Sequence, residues 1–469
     1  MRKEGDSGLG LRARVLQGGT YYSIRQLVGA VIGVGGVTCL IRILGPHDYG
    51  VFASAFGVYI FLRGILQLGV GTYLVRKDGA VDDREFSQAL AIVFSMGVLG
   101  VVVAISSVHF LQMWIGIRDF TAVSSVLLLA LPLGLSSSIG VARLERAIDY
   151  RSLALADVAA QTSYYLVALP SALLGLGVWA PVIGWWASEI VNVVLTYQRS
   201  AFRPKFYWSS ALAKNMITYG FGFSSSFYIW QARSLVNPLL VGRYAGAEAV
   251  AYVALTIRIV EYLCFIKTSA WRLSIVAFAR VQGNTCQLAK AVSEGMDLQM
   301  ISQGPLLVVF GWVAPWIVPR VFGDRWLPVL DIYPFIALAY LTNALFNLHS
   351  SVLYVLARNL RIAIFNVINV AILLLGSSLL VPKHGYVGYG IAEILALTSC
   401  IAIHYFVRQR VGRLRYLPAL AWYGGMAPSL FWHDLGIYSI VPLVIVVAWP
   451  VTYIQLKNYV YLLGAWRSM

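Results

Sequence analysis

About fourteen apolar runs, most of them about 20 residues or longer, follow one another along the chain with only short polar breaks. A helix needs roughly 20 apolar residues to cross the hydrocarbon core of a bilayer, so each run is a candidate membrane span. Only 12% of the 469 residues are charged, about half the share in a soluble domain. The pattern therefore predicts an all-α polytopic membrane protein and excludes a soluble fold. The predicted spans, numbered 1 to 14 in chain order, fall at about 15–42, 49–75, 88–114, 120–142, 152–174, 178–198, 215–242, 249–275, 293–319, 327–356, 362–381, 386–407, 417–432 and 436–456.

The basic residues are distributed unevenly between the two sides of the predicted bundle. With the N-terminus in the cytoplasm, 24 of the 36 Lys and Arg residues fall in cytoplasmic segments, six in outer loops and six within spans. Cytoplasmic loops of membrane proteins carry such an excess of positive charge. Both termini are therefore predicted to be cytoplasmic, and the net charge of +16 needs no nucleic-acid partner to explain it.

No sequence motif of enzymatic chemistry is present. The chain has no GxxxxGK[ST], HExxH or GxSxG motif, which would indicate a nucleotide-phosphate, zinc-protease or hydrolase site. The four cysteines form neither a CxxC pair nor a cluster with histidines, so no metal or cofactor is expected. The longest polar stretch, 199–214, is too short for a catalytic soluble domain. We therefore expect a protein that is not an enzyme.

Two parts of the chain resemble each other at a spacing that preserves orientation. The segment 42–52 (RILGPHDYGVF) matches 243–253 (RYAGAEAVAYV) at an offset of 201, and Arg143 matches Arg358 at an offset of 215. Six spans separate the copies, so the repeat is parallel, as in many secondary transporters. It predicts two six-helix lobes followed by a C-terminal helix pair. The boundaries lie at about 1–14 for a cytoplasmic tail, 15–198 for the N-terminal lobe, 199–214 for a cytoplasmic linker, 215–407 for the C-terminal lobe and 408–469 for the helix pair and tail.

Four arginines lie well inside predicted spans: Arg25, Arg63, Arg233 and Arg258. At about 1.5 Å per residue, each lies about 13–20 Å from one end of its span, near the middle of the membrane. A charge at that depth costs at least about 2.5–3.5 kcal/mol and usually faces a bundle interior or a wet cavity. Guanidinium groups stay protonated and bind phosphate bidentately. The favoured interpretation is a cavity that binds a phosphate-bearing anion. Ion pairing within the bundle is the alternative, and for Arg258 the partner would be Glu261.

Other polar residues accompany these arginines in the predicted spans. Several share a helix face with one of the arginines or extend the basic track toward the cytoplasm. These candidate residues of a substrate track are Lys267, Tyr22, Trp230 and Asn237. A transporter driven by an ion gradient also needs a titratable or cation-binding carboxylate. The candidates for that role are Glu189, Glu261 and Glu393, each of which could instead pair with a basic residue.

Short motifs mark the turns beside spans 2 and 10. RILGPHDYG at 42–50 joins spans 1 and 2, LGVGTYLVR at 68–76 ends span 2, and FGDRWLPVL at 322–330 precedes span 10. With these motifs the chain resembles the polysaccharide or oligosaccharide flippases of the multidrug/oligosaccharidyl-lipid/polysaccharide exporter superfamily. The resemblance implies two six-helix lobes, alternating access, and a cationic cavity gated by spans 1, 2, 7 and 8. It also implies a lipid-diphosphate-linked glycan as the substrate, moved from the inner to the outer leaflet.

Three functions are compatible with these observations. The favoured one is a flippase for an undecaprenyl-diphosphate-linked oligosaccharide in a bacterial inner membrane, with the four arginines as a diphosphate clamp. H⁺ or Na⁺ would be the coupling ion, and membrane lipids and a polysaccharide polymerase would be further partners. The second is a multidrug exporter of the same fold, but such relatives more often have acidic cavities that suit cationic drugs. The third is a membrane polysaccharide polymerase or ligase, an enzyme class that tends to carry a large outer loop, which this chain lacks.

Overall fold

The computed structural model describes residues 7–205, 207–450 and 452, with side chains described from residue 28 onward except at 223, 266, 268, 269 and 272. The regular structure of this part of the chain is helical throughout. The chain divides into two compact units, with the division between Ala251 and Tyr252. The lobe boundaries predicted from the repeat stay predictions.

Helices of very different lengths make up the first unit. They are α1 (Ser7–Leu66), α2 (Val70–Arg76), α3 (Asp83–Ile115), α4 (Phe120–Leu128), α5 (Leu131–Arg146), α6 (Tyr150–Leu173), α7 (Trp179–Arg199), α8 (Ser210–Gln231) and α9 (Arg233–Val236). A π-helical turn, Asn237–Val241, leads into α10 (Gly242–Leu263), which contains the division between the units.

The second unit has the same character and ends in shorter helices. They are α11 (Ile266–Val281), α12 (Thr285–Val321), α13 (Val329–Val355), α14 (Asn359–Ala396), α15 (Cys400–Val411), α16 (Leu417–Leu430), α17 (Trp432–Leu435) and α18 (Val441–Ala448). Short 3₁₀ turns at Asp324–Trp326, Leu397–Ser399 and Gly436–Ile440 connect some of them.

Several of these segments are long and apolar enough to cross a membrane. The described residues contain seven such segments, or eight if the pair Leu417–Leu430 and Trp432–Ala448, bent by 70°, counts as one span. The longest segment, Asn359–Val411, has 53 residues, whereas one span of the bilayer core needs only about 20. A segment of that length therefore covers more than one predicted span. The predicted all-α membrane class is confirmed, and the count of 14 spans stays a prediction.

Three of the long helices bend at a glycine whose backbone is not helical. Gly45 in α1 has φ 76° and ψ 174°, Gly246 in α10 has φ 83° and ψ −179°, and Gly385 lies at the bend in α14. Glycine adopts this conformation readily because it has no Cβ to clash with the backbone. Gly45 and Gly246 have nearly the same geometry and are separated by the 201 positions of the sequence repeat. The repeat therefore corresponds to a recurring backbone bend.

A second pair of matching turns corrects one part of the repeat alignment. The chain turns through Ile148 after α5 and through Ala357 after α13, both left-handed, with φ 57° and 55°. In both turns the N–H of the next residue, Asp149 or Arg358, bonds to a carbonyl five positions earlier, as in a Schellman helix end. Arg358 is therefore equivalent to Asp149, and not to Arg143 as the sequence comparison suggested.

α3 and α12 each accept a hydrogen bond from the backbone of a distant segment within their N-terminal parts. In the first unit, the N–H of Ser209 donates to Gln88 Oε1 of α3 at 2.6 Å. In the second unit, the N–H of Arg415 donates to Ser293 Oγ of α12 at 3.0 Å. These receiving side chains satisfy backbone donors that would otherwise be left unpaired at a helix junction. The segment before α8 is thereby held against α3, and the segment before α16 is held against α12.

Close packing through glycines joins the second half of α1 to the end of α8 and to α9. A Cβ at Gly57 would lie 2.9 Å from the carbonyl oxygen of Ser234, and a Cβ at Gly64 would lie 2.8 Å from the amide nitrogen of Gln231. Real Cβ atoms essentially never approach other atoms this closely, so a larger residue at either position would force its neighbour to shift. It places the turn that carries Arg63 beside the end of α8.

Arg146, at the end of α5, holds the C-terminal end of α2. Its Nη1 donates to the carbonyl oxygens of Leu74 at 2.7 Å and Lys77 at 3.0 Å. These carbonyls lie where a helix leaves its acceptors unpaired, and a cation there also offsets the helix dipole.

We expect Arg146→Met to lower the melting temperature in detergent by about 4 °C or more, since hydrogen bonds to a charged group contribute about 1.5–3 kcal/mol. The exposed Arg151 nearby provides the control, and Arg151→Met should change the melting temperature by less than about 1 °C. Equal melting temperatures of the two variants would contradict the role assigned to Arg146.

Candidate functional site

Arg63 and Glu189 form a buried ion pair within the first unit. Arg63 lies near the end of α1 and Glu189 near the middle of α7. Arg63 Nη1 donates to Glu189 Oε1 at 2.5 Å, and the two side chains are only 21% and 3% exposed. Two residues predicted to have separate roles, anion binding and ion coupling, are therefore partners. The sequence could not reveal this pair because its members are 126 positions apart, on different helices.

Helix α5 and a tyrosine of α1 complete the surroundings of the pair. Arg63 Nη2 donates to the carbonyl oxygen of Gly134 at 3.0 Å, and the hydroxyl of Tyr59 donates to Glu189 Oε1 at 3.2 Å. A Cβ at position 134 would lie 2.5 Å from the Tyr59 hydroxyl and 3.2 Å from the Glu189 carboxylate, so only glycine fits there. Sequence reasoning missed Tyr59, although its place four residues before Arg63 puts both on one helix face.

Arg63 keeps hydrogen-bonding capacity beyond these contacts. A guanidinium has five N–H donors in a planar fork. Among the described residues, Nη1 and Nη2 make three bonds, to Glu189, Gly134 and Ser137, which is fewer than the donors of the group. A carboxylate already balances the charge of Arg63, so a second anion has to compete with it.

Arg233 lies at the start of α9, directly after the break that ends α8. Its guanidinium carbon is 4.6 Å from the ring centroid of Trp230, a distance at which a cation is attracted to the aromatic face. The structure therefore brings together two of the residues predicted to share a face of span 7. Asn237 begins the π-helical turn, and its amide nitrogen donates to the carbonyl oxygen of Val250 at 3.2 Å. That amide group supports the turn.

A second polar cluster lies in the second unit, around Tyr340 of α13. The hydroxyl of Tyr340 donates to Glu261 Oε1 at 3.3 Å, and Lys267 Nζ lies 4.8 Å from the centroid of its ring. Arg258 Nε donates to the hydroxyl of Tyr262 at 3.5 Å. Tyr340 therefore joins a predicted carboxylate to a predicted basic residue. No sequence signal marked Tyr340, because its neighbours in this cluster come from α10 and α11.

The remaining predicted residues lie apart from these clusters or outside the described side chains. Glu393 is buried in α14 and accepts a hydrogen bond from the Tyr389 hydroxyl, one turn earlier, at 2.8 Å. Arg25 and Tyr22 belong to the part of α1 whose side chains are not described. Among the described residues, no group of three or more His, Cys, Asp or Glu side chains could hold a metal ion.

Comparison with known proteins gives one family match over more than half of the chain. The family described as "Polysaccharide biosynthesis protein" matches residues 39–331. The amylovoran biosynthesis protein AmsL of Erwinia amylovora is 23% identical over 276 residues, which are 57% of this chain and 71% of that protein. The lipopolysaccharide biosynthesis protein WzxC of Escherichia coli (strain K12) is 19% identical over 363 residues, 75% of this chain and 72% of that protein. The succinoglycan biosynthesis transport protein ExoT of Rhizobium meliloti (strain 1021) is 27% identical over 223 residues, 46% of this chain and 44% of that protein.

Solved structures show the fold. The lipid II flippase MurJ in an inward closed conformation matches with a TM-score of 0.71 and 12% identity, over 95% of this chain and 99% of that one. An inward-facing multidrug resistance MATE family transporter of the MOP superfamily matches with a TM-score of 0.60 and 15% identity, over 84% of this chain and 94% of that one. The predicted resemblance is confirmed by the family match and by a fold shared with a transporter of the MOP superfamily. The chain is a multi-pass membrane protein. Among the proteins that it resembles, ExoT is a transport protein, MurJ a flippase and the MATE protein a multidrug transporter, and, as predicted, none of these three is named for an enzymatic reaction.

Proposed function

Because the chain belongs to the family of polysaccharide biosynthesis proteins, we propose that it is a flippase for a lipid-diphosphate-linked oligosaccharide. The proposed movement is from the inner to the outer leaflet of a bacterial inner membrane, by alternating access. The observation that carries the proposal is the guanidinium of Arg63, which lies within a membrane span, belongs to a side chain that is 21% exposed, and has hydrogen-bond donors beyond its carboxylate partner. Such a group recognises phosphate oxygens, which a lipid diphosphate supplies.

The proposed architecture has 14 spans in two six-helix lobes, 15–198 and 215–407, followed by a helix pair. The recurring bends at Gly45 and Gly246 support it, since they lie at corresponding places after the first span of each lobe. The left-handed turns at Ile148 and Ala357 support it as well, because they follow corresponding helices. Both termini are proposed to be cytoplasmic, in agreement with the excess of positive charge on one side.

The proposed diphosphate clamp consists of Arg25, Arg63, Arg233 and Arg258. Trp230 lies beside Arg233 and would position it, since a ring face restrains a guanidinium without removing its donors. Tyr22, Asn237 and Lys267 are proposed to line the path of the substrate. In the first unit, the diphosphate is proposed to compete with Glu189 for Arg63, because both anions bind the donors of one guanidinium.

The driving force is proposed to be an H⁺ or Na⁺ gradient, with the coupling carboxylate among Glu189, Glu261 and Glu393. Glu189 and Glu393 are buried, and charged groups inside membrane proteins commonly mark ion pathways. Glu189 has the most direct link to the substrate, since it shares Arg63 with it. A polysaccharide polymerase that receives the flipped glycan is the proposed partner.

Reconstitution tests the proposed function directly. Purified protein in liposomes should move a fluorescent undecaprenyl-diphosphate-linked oligosaccharide between leaflets, measured as loss of protection from a membrane-impermeant quencher. Protein-free liposomes give the background rate. The multidrug alternative predicts the reverse, namely transport of organic cations and no movement of the lipid-linked glycan, and that result would overturn the proposal.

A further inference from the structure

Helices α14 and α15 of the second unit lie side by side where each carries arginines near one end. Arg361 Nη1 donates to the carbonyl oxygen of Phe406 at 3.2 Å, and its guanidinium carbon lies 5.4 Å from the ring centroid of Phe406. Arg358 precedes α14 directly, and Arg408 and Arg410 lie in the last turn of α15. The side chains of Arg358, Arg408 and Arg410 are exposed.

The charge at this place is unbalanced. Residues 355–361 and 400–416 contain six arginines and no Asp or Glu. Arg415 has a carboxylate partner from another helix, Asp297 of α12, at 3.5 Å. Four of the others lie at the ends of α14 and α15, and Arg413 follows α15. An exposed cluster of this kind attracts anions, and at the end of a membrane helix it lies at the depth of lipid headgroups.

Apolar residues on both helices continue from the arginines toward the membrane. On α15, Ile401, Tyr405 and Arg408 follow the spacing of one helix face, and Ile401 is 72% and Tyr405 57% exposed. On α14, Leu360 and Ile364 are one turn apart, and Leu360 is 75% exposed. A soluble anion would use only the arginines, whereas an amphiphile would use the arginines and the apolar stripes together.

From this arrangement we propose that the paired ends of α14 and α15 bind the headgroup of an anionic phospholipid, with its acyl chains along the two apolar stripes. The occupant is a bulk membrane lipid of the leaflet at the basic side of the protein, which is cytoplasmic in the predicted orientation. Arg358, Arg408 and Arg410 bind the phosphate oxygens, and Arg361 holds the two helix ends together. The site is independent of whether the protein flips a glycan.

Native mass spectrometry of the full-length protein in detergent tests the site, with dioleoyl-phosphatidylglycerol as the ligand and dioleoyl-phosphatidylcholine as its uncharged comparison. The triple variant Arg358→Gln/Arg408→Gln/Arg410→Gln should weaken phosphatidylglycerol binding by about tenfold or more. The matched control is Arg199→Gln/Arg203→Gln/Lys205→Gln. It removes three exposed basic residues of the first unit and changes the net charge equally. It should bind the lipid as the wild type does.

Three outcomes would overturn the proposal. Equal loss of binding in both triple variants would mean that only the net charge of the protein matters. Equal binding of the two phospholipids would mean that the site does not recognise the charge of the headgroup. If inorganic diphosphate prevented all lipid binding at concentrations similar to that of the lipid, the arginines would form a site for a soluble anion and not for a lipid. The variant Arg358→Lys/Arg408→Lys/Arg410→Lys keeps the charge and should retain binding within about threefold, since lipid attraction follows charge near the surface. Loss of binding in that variant would also count against the site.

Discussion

The double variant Arg63→Gln/Glu189→Gln is expected to be about as stable as the wild type and still flip a lipid-linked glycan at least about tenfold more slowly. Removing only Arg63 leaves the carboxylate of Glu189 buried without its counter-ion, which costs about 3–5 kcal/mol. Reduced flipping in a single Arg63 variant could therefore result from lost stability or from lost substrate binding, and the experiment would not distinguish the two. The double variant removes both charges and keeps amide groups that can hydrogen-bond to each other, so its melting temperature should recover.

Flipping should not recover with it. An arginine bound to a charged oxygen contributes about 1.5–3 kcal/mol, so the loss of Arg63 from the diphosphate clamp should slow flipping by at least about tenfold in both variants. The melting temperature in detergent and the initial flipping rate in liposomes are measured on the same preparations. Recovery of both in the double variant would mean that Arg63 serves only to neutralise Glu189.

An exposed ion pair supplies the matched control for this experiment. Lys290 and Glu294 lie 3.9 Å apart in α12, and their side chains are 76% and 57% exposed. Surface pairs of this kind contribute about 0–1 kcal/mol. Lys290→Gln/Glu294→Gln should therefore leave both the melting temperature and the flipping rate near the wild-type values.

The features that the sequence predicted well depend on local spacing. The motif at 42–50 and its copy in the second half mark bends at Gly45 and Gly246, because the need for glycine at a positive φ is a property of one residue. The contact of Trp230 with Arg233 follows from a spacing of three residues on a helix. Apolar run lengths likewise fix the membrane class, since span length depends only on bilayer thickness.

The features that could not be predicted from the sequence depend on which helices are neighbours in the fold. The sequence predicts that Glu189 and Arg63 both lie within spans, but their pairing requires α1 and α7 to be neighbours. Tyr340 joins Glu261 to Lys267 for the same reason. Apolar periodicity shows which face of a helix is buried, but it carries no information about the partner of that face. Ion pairs between spans can therefore be predicted only once the fold shows which helices are neighbours.

The glycine that begins α2 should be among the least replaceable residues of the chain. Gly69 has φ 65° and ψ 14°, a left-handed conformation that costs other residues about 1–2 kcal/mol. A Cβ there would also overlap the backbone carbonyl of Gly220 in α8 and lie 2.6 Å from Ser224 Oγ. The overlap with Gly220 involves backbone, which cannot rotate away as a side chain can. Strain and overlap add, so Gly69→Ala should cost about 3 kcal/mol or more, with a fall in melting temperature of about 6 °C or more.

Gly71, in the same LGVG sequence, provides the control for Gly69. It shows whether the effect comes from the packing of Gly69 or from replacing any glycine of the motif. A Cβ at Gly71 would have its nearest neighbours at 4.0 Å, and the residue is helical, so Gly71→Ala should be neutral or stabilising by up to about 1 kcal/mol. Gly220→Ala should resemble Gly69→Ala, because its Cβ would meet the carbonyl of Leu68 from the other side of the same contact. Equal melting temperatures for Gly69→Ala and Gly71→Ala would contradict the close approach of α2 and α8. The expected difference between them would give the LGVG sequence a structural reason, a backbone contact between the ends of two helices, that is independent of any substrate.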